Sequence, residues 1–373
     1  MDLEYAISSS WRHRVRFARE VLTQEPRLLA EFLGLGQSHG PRRVLAILDE
    51  GLAAARPALE RGLEAMADET RVVAGGEAAK QGEGTWKEVL GAIERAGLCR
   101  HSAILCVGGG ALQDVVGFAA ATAHRGIPLF RLPTTVLSQL DSGVGVKNGI
   151  NAFGKKNFLG AFAVPAGVLL DSSLLATQAE PERTAGFIEA VKVALVKDAA
   201  FFSYLEGAVE ALQRFELETV EAVIARSARL HLEHIALGGD PFEEGSSRPL
   251  DFGHWAAHRL EALSGFRLSH AQAVAAGLAL DVVYSRRLGW LAESDGERIL
   301  SLLERMGWPL FFEEMRDGPA VLNGLEEFRE HLGGELTVMM LAGIGHGKNV
   351  HQIERGQMEA ALAELGARCG ALS

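Results

Sequence analysis

The chain has 373 residues, 48% of them hydrophobic and 23% charged. That length exceeds the usual single core of about 250–300 residues, and the composition is too apolar for a disordered chain. Thirty-seven basic against 48 acidic residues give a net charge of −11, which repels a polyanion and excludes nucleic acid as the main partner. Cys99, Cys106 and Cys369 form no C-x-x-C pair, so neither a disulfide framework nor a thiolate zinc site is suggested and a reducing cytoplasm is expected. No apolar run approaches the roughly 18 residues that cross a bilayer, and the charged residues 1–19 lack a signal-peptide core, so neither membrane insertion nor export is expected.

Short β-branched runs alternate with longer helical ones from about residue 42, the pattern of βαβ units in a parallel sheet. Strands are predicted over 44–48, 71–73, 103–107, 128–132 and 167–171. Helices are predicted over 52–67, 85–97 and 112–124. The Gly-, Asn- and Lys-rich stretch 144–162 reads as an extended or hairpin loop. Beyond it the helical pattern takes over, at 182–197, 201–213, 217–237, 254–264, 271–288 and 297–306. The expectation is an α/β domain over 1–170 with a parallel nucleotide-binding sheet, followed by an all-α, metal- and substrate-binding domain over 171–373.

Three groups of residues carry chemistry. The run Leu105-Cys-Val-Gly-Gly-Gly-Ala-Leu-Gln-Asp114 places three glycines between a buried strand and a helix. Backbone there can approach a pyrophosphate, and the helix N-terminus supplies N–H groups and a positive dipole end. The plain alternative is a turn that packs strand on helix, and the run departs from G-x-G-x-x-G. His254 and His258, four apart on one helix face, with His270 and Glu189, offer the imidazole and carboxylate set of a catalytic zinc site; such a pair is also common without metal. Lys147, Asn148, Asn151, Lys155, Lys156 and Asn157, with Lys192 and Lys197 on the helix of Glu189, suit a phosphate-bearing ligand or an ordinary solvated loop. Lys192 lies among apolar residues, which disfavours the second reading.

In order along the chain these segments resemble 3-dehydroquinate synthase and the wider sugar phosphate cyclases. Gly108-Gly-Gly-Ala-Leu-Gln-Asp114 resembles GGG-x-x-x-D, and Pro133-Thr134-Thr135 with Asp141-Ser-Gly-Val-Gly-Val-Lys147 resembles PTT…DSSVGGK. Gly154-Lys-Lys156-Asn157 with Gly160-Ala-Phe162 resembles GKN-x-x-GAF. Glu189-Ala-Val-Lys192 resembles E-V-I-K. Leu250-Asp-Phe-Gly-His254 with His258 resembles LN-x-GH-x-x-x-H, and Ser269-His270 with Ala273-Val-Ala-Ala-Gly277 resembles HGEAVAxG. The likeness covers roughly residues 40–350.

The resemblance implies a dehydroquinate synthase-like fold with Zn2+, or Co2+ in its place, held by Glu189, His254 and His270. His258 then becomes a residue beside the metal and not a ligand. It implies NAD on Gly109, Gly110 and Asp114, with Glu77, Lys80, Thr134, Thr135 and Lys156 as further contacts and Asp49 near the adenosine ribose. Lys192, Asp141, Lys147, His258 and Asp251 would act in catalysis. Arg125, Asn157, Lys197 and Arg248 would bind substrate, with Arg125 reaching the neighbouring site of a homodimer. The implied reaction starts from a sugar phosphate. NAD removes a hydride, which acidifies the adjacent C–H and permits phosphate elimination. The hydride then returns, and an intramolecular aldol step closes a carbocycle. NAD is thus regenerated.

Departures from the family pattern bear on the substrate. Asp251 stands where dehydroquinate synthases carry Asn, and two upstream basic positions fall on Glu233 and Ser247, with Arg248 one place off. More acid and less base disfavour a carboxylate, so a neutral ketose phosphate such as sedoheptulose 7-phosphate is expected in place of a heptulosonate phosphate. Against this, valiolone-forming members lack the histidine that this chain keeps at His258, and Gln272 replaces a common Glu. The stretches around 144–156 and 238–255 most resemble a bacterial branch called EboD-like. A phosphate-binding lysine of the family falls to Arg329 or Lys348. Two other readings are a zinc-dependent polyol or glycerol-phosphate dehydrogenase of the same fold, separated by steady NADH production, and a non-catalytic homologue, disfavoured by the intact Glu189, Lys192, His254 and His270.

Overall fold

The computed structural model describes residues 1–245, 247–332 and 334–370. It divides into two units, Met1–Gln178 and Ala179–Ser373.

The first unit is built on a six-stranded, wholly parallel sheet. Its strands are β1 (Val15–Ala18), β2 (Val44–Asp49), β3 (Glu69–Val73), β4 (Ala103–Gly108), β5 (Leu129–Pro133) and β8 (Gly167–Asp171), in the order β1-β8-β5-β4-β2-β3. Apolar residues run continuously through β2 and β4 because both faces are covered. Val44, Ala46 and Leu48 join one buried cluster, whereas Leu45 and Ile47 join the other. The stretch 144–162 is an antiparallel hairpin of β6 (Lys147–Ala152) and β7 (Lys155–Phe162).

Each predicted strand and helix of this unit is present within a few residues, with one division. The helix expected over 52–67 is two, Glu50–Ala55 and Pro57–Glu64, because Pro57 has no N–H to continue the first. Strand β1 and the helix Pro26–Leu33 carry no alternation strong enough to read; β1 is a four-residue edge strand. The turn Ser172–Thr177 stays with the first unit, since Ser173 bonds Asp171 and the Gln178 side chain accepts from Val136 N.

The second unit is helical. Ile188–Lys197 is buried from Ile188 to Val196, so its apolar character runs all the way round. Around it lie Ala199–Gln213, Leu217–Leu237, His254–Leu263, His270–Arg287, Glu293–Arg305, Gly318–His331 and Arg355–Arg368. The last two helices were not expected. Nor was a two-stranded hairpin, Val338–Gly343 with His346–Val350, which this helical unit also carries.

Candidate active site

The candidate residues fall in both units, and each set has its own geometry. In the first unit they gather at the carboxyl ends of β2, β4 and β5, where parallel sheets bind nucleotides. Gly109 is the N-cap residue of the helix Gly110–Thr122. A Cβ on Gly110 would lie 2.5 Å from Ser142 Oγ, and one on Gly109 would lie 3.2 Å from Thr135 Cγ2. The glycine loop therefore packs directly on the Pro133–Ser142 segment. Thr134 N donates to Gly108 O at 3.1 Å, and Thr135 Oγ1 and Ser138 Oγ share a 2.7 Å hydrogen bond.

Asp49, at the end of β2, caps the next helix by accepting from Leu52 N at 3.1 Å, and its carboxylate occupies the space a Cβ on Gly75 would need. Lys80 Nζ sits 2.7 Å from Asp114 Oδ2, both largely buried. Burial pushes the Asp114 carboxyl up, against the pull of Lys80 and Arg131. Glu77, on the same turn as Lys80, is exposed and adds a negative charge near Asp114.

Asp141 lies in a π-helical turn, Ser138–Ser142, and Lys147 opens β6. Asn157 takes a left-handed φ of 51° and donates its N–H to Asn151 Oδ1 at 2.9 Å, which shapes the hairpin beside Lys156. Asn151 in turn bridges to Gln81, next to Lys80. Asn148, read above as a ligand amide, is buried and bonds backbone carbonyls of Val146, Ala161 and Ala163. Arg125 stands apart from all of these. It is exposed, in a left-handed turn at the far end of the helix Gly110–Thr122, about 20 Å along the axis from the glycine loop.

In the second unit, donor atoms of Glu189, His254 and His270 all lie within 4.8 Å of one another. Glu189 Oε1 is 3.9 Å from His254 Nε2 and 3.7 Å from His270 Nε2. The close approach has a sequence origin. Gly253 has φ 77°, and a Cβ on Gly277 would meet Gly253 O at 2.1 Å. Only this glycine pair lets the helices His254–Leu263 and His270–Arg287 come near enough for their imidazoles to converge. Ser269 and Gln272 form a capping box that starts the second helix at His270. Gln272 thereby does what Glu does at that position of a helix.

His254 Nδ1 lies 3.1 Å from Phe252 O. A carbonyl only accepts, so Nδ1 carries the proton and Nε2 presents a lone pair toward Glu189 and His270. Burial first, and then the Lys192 charge, hold the His254 imidazole well below its usual range and therefore neutral at pH 7. Lys192, itself buried, forms an ion pair with Glu189. Two imidazoles and a carboxylate make a borderline donor set that fits Zn2+ or Co2+.

His258 is exposed, with its ring centroid 5.5 Å from that of His254 and 6.2 Å from that of His270. Asp251 is close enough to stabilise the cationic form of His254. The other charges each have a partner of their own. Glu233 pairs with Arg229 at 2.8 Å on an exposed helix face, and Arg248 is tied to Glu243 and to carbonyls of its own loop. Lys197 meets His234 at 3.4 Å. Arg329 pairs with Glu326, and Lys348 sits 4.1 Å above the Trp290 ring.

Two buried acids were missed. Glu261 Oε2 is 3.5 Å from His270 Nδ1. Asp281 accepts from Trp255 Nε1 at 2.9 Å and from Gly253 N at 3.1 Å, flanking His254 on both sides. Glu261 had a signal in its i+3 spacing from His258. Asp281 had only its place as an acid within an apolar helix.

Residues 70–185 match the family described as 3-dehydroquinate synthase N-terminal, and residues 186–325 match 3-dehydroquinate synthase C-terminal. The chain belongs to the 3-dehydroquinate synthase family. Among curated relatives, the 3-dehydroquinate synthase of Azotobacter vinelandii is 36% identical over 74% of each chain. That of Pseudomonas fluorescens is 33% identical over 93% of this chain and 94% of its own. Of solved structures, ValA, a 2-epi-5-epi-valiolone synthase of Streptomyces hygroscopicus with NAD+ and Zn2+ bound, is 29% identical. It superposes with a TM-score of 0.87 over 98% of this chain and 100% of that one. A 2-deoxy-scyllo-inosose synthase complexed with carbaglucose-6-phosphate, NAD+ and Co2+ shares the fold at 21% identity and a TM-score of 0.79, covering 94% and 96% of the two chains.

Proposed function

We propose that this protein is an NAD- and divalent metal-dependent sugar phosphate cyclase whose substrate is a neutral ketose phosphate of the sedoheptulose 7-phosphate kind. The observation that carries the reading is the convergence of Glu189, His254 and His270 donors within 4.8 Å, next to the Lys192 ammonium. Held on Gly109 and Gly110, NAD would supply reversible hydride transfer, and a metal held by Glu189, His254 and His270 would supply Lewis acidity toward substrate oxygens. The chain's own groups do the rest. His254, held neutral, keeps its Nε2 lone pair available across the neutral pH range. Lys192 places a second positive charge beside the metal ligands, suited to an oxyanion that develops there. Lys147, Lys156 and Asn157 line the hairpin from which a phosphate is bound.

Asp251 supports a substrate without a carboxylate, because it sets a negative charge within reach of His254. Glu233 is paired with Arg229 and Arg248 with Glu243, so the charge argument rests on Asp251. The reading includes a homodimer, supported by the position of Arg125, which is too far along its helix to join the glycine loop of its own chain.

The test is incubation of the protein with Zn2+, catalytic NAD and a panel of ketose phosphates. Phosphate release from the neutral ketose, without net NADH, is the expected outcome. NADH accumulating in proportion to substrate would assign a dehydrogenase of the same fold instead. A preference for the heptulosonate phosphate would overturn the choice of substrate and leave the cyclase reading intact.

A further inference from the structure

Arg131 is the largest charged side chain in the interior of the first unit. It lies on β5, at the middle of the sheet, and is fully buried. A charge there is costly unless its hydrogen bonds are met. Among the described residues no carboxylate is within ion-pairing distance of it; its Nη atoms donate instead to neutral oxygens of one short segment. Nη1 donates to Ser142 O at 3.3 Å, Gly143 O at 3.1 Å and Gly145 O at 2.9 Å, and Nη2 donates to Asn148 Oδ1 at 2.5 Å. Asn148 Nδ2 passes the contact on to Val146 O and to Ala161 O and Ala163 O across the hairpin. One guanidinium thus gathers the backbone between Asp141 and Lys147.

The same group is coupled to the glycine-loop side. A Cβ on Gly117, on the helix that the glycine loop opens, would lie 1.7 Å from Asn148 Oδ1 and 3.2 Å from an Arg131 Nη. Asp114 attracts the Arg131 charge over a longer distance. Ser142, whose carbonyl Arg131 holds, is also the residue against which Gly110 packs.

We propose that Arg131 is a positioning residue, whose buried guanidinium fixes the segment bearing Asp141 and Lys147 against the glycine loop. Its consequence for catalysis rests on the reading that Asp141 and Lys147 handle the substrate. Fixing that segment sets the distance between a cofactor on Gly109 and Gly110 and a substrate held by Lys147, and errors of about 1 Å in such a distance cost about 100-fold in rate.

Arg131→Lys and Asn148→Ala test the proposal with three readouts: NAD titration, steady-state phosphate release and hydrogen exchange of backbone amides. The expected result is unchanged NAD affinity and stoichiometry, kcat lowered about 10–100-fold, and faster exchange confined to residues 142–149 and 160–163. A merely structural role would lower the NAD-binding fraction and kcat together and spread the exchange over the whole sheet. That result overturns the proposal, as does unchanged exchange in those segments, or failure of both variants to fold. Asp141→Asn and Lys147→Ala serve as controls. Full activity in those two would refute their substrate role, while the exchange measurement would still decide whether Arg131 holds the segment.

Discussion

Lys192→Met gives the sharpest test of the charge arrangement in the second unit. Lys192 and Glu189 are each 2% exposed and form an ion pair three residues apart on one buried helix. Met keeps the length of the side chain and removes its charge, so metal-free protein must hold the Glu189 carboxylate in a desolvated site without the ammonium. Removing one partner of such a pair costs about 3–5 kcal/mol. At about 2–4 °C per kcal/mol for a unit of this size, the melting temperature falls by about 6–20 °C. A bound divalent cation replaces the missing charge, so the metal-loaded variant should lose much less. Zinc affinity should rise, because a like charge beside the site has gone. The assay is scanning calorimetry of wild type and variant in chelator and in zinc, with affinity from competition against a zinc indicator. Equal losses with and without metal, or a loss below about 1 kcal/mol in chelator, would refute the reasoning.

His270→Ala removes one of the three converging donors, so zinc retained through gel filtration should fall from one equivalent to none, and phosphate release should vanish; retention of both would remove His270 from the metal site. Asp251→Asn removes a charge that, at a distance of about 8 Å and an effective dielectric of about 20, opposes a substrate carboxylate by about 2 kcal/mol. Its kcat/KM for a heptulosonate phosphate should therefore rise roughly 30-fold, and an unchanged value would show that Asp251 does not govern the choice. Burial pushes the Asp281 carboxyl up to about 8, so the folded state keeps a proton that the unfolded state releases near its ordinary pKa of about 3.9. Stability of the metal-free protein should accordingly decline as pH rises from about 4 to about 8, and Asp281→Asn should flatten that decline. A flat wild-type urea midpoint across the same window would contradict the assignment.

The parallel sheet was legible because its central strands are apolar runs punctuated by glycine and proline, and the helical half because its periods are long. What local pattern could not show is which side chains meet. His254 and His258 share a face by spacing, yet the imidazole whose Nε2 lies 3.7 Å from Glu189 Oε1 is that of His270, brought there by a contact between Gly253 and Gly277 that no periodicity encodes. Glu233, expected from the sequence to bear on the substrate, pairs with Arg229 on the helix Leu217–Leu237, a partner that the family pattern did not indicate. Arg131 was visible as a cation inside an apolar strand. Its role was not, because the four groups it holds lie 11 to 17 residues ahead in the chain.

The excess of glycine, 43 residues in all, divides along the same line. Gly108–Gly110 reads from sequence as a place where backbone approaches a ligand, and the glycines of 144–162 as parts of a loop. Several are instead forced by the protein itself. A Cβ on Gly143 would strike Pro133 at 2.5 Å and one on Gly108 would strike Leu112 at 2.7 Å, while Gly149 and Gly160 face each other's strand across the hairpin. Gly76 and Gly154, by contrast, have nothing within 4 Å of such an atom, and each has a positive φ. Glycine at the close-packed positions lets the loop, the hairpin and the helix Gly110–Thr122 lie close enough for one arginine to hold them. The spacing of the glycine loop, the hairpin and the helix Gly110–Thr122 then follows from packing within the first unit.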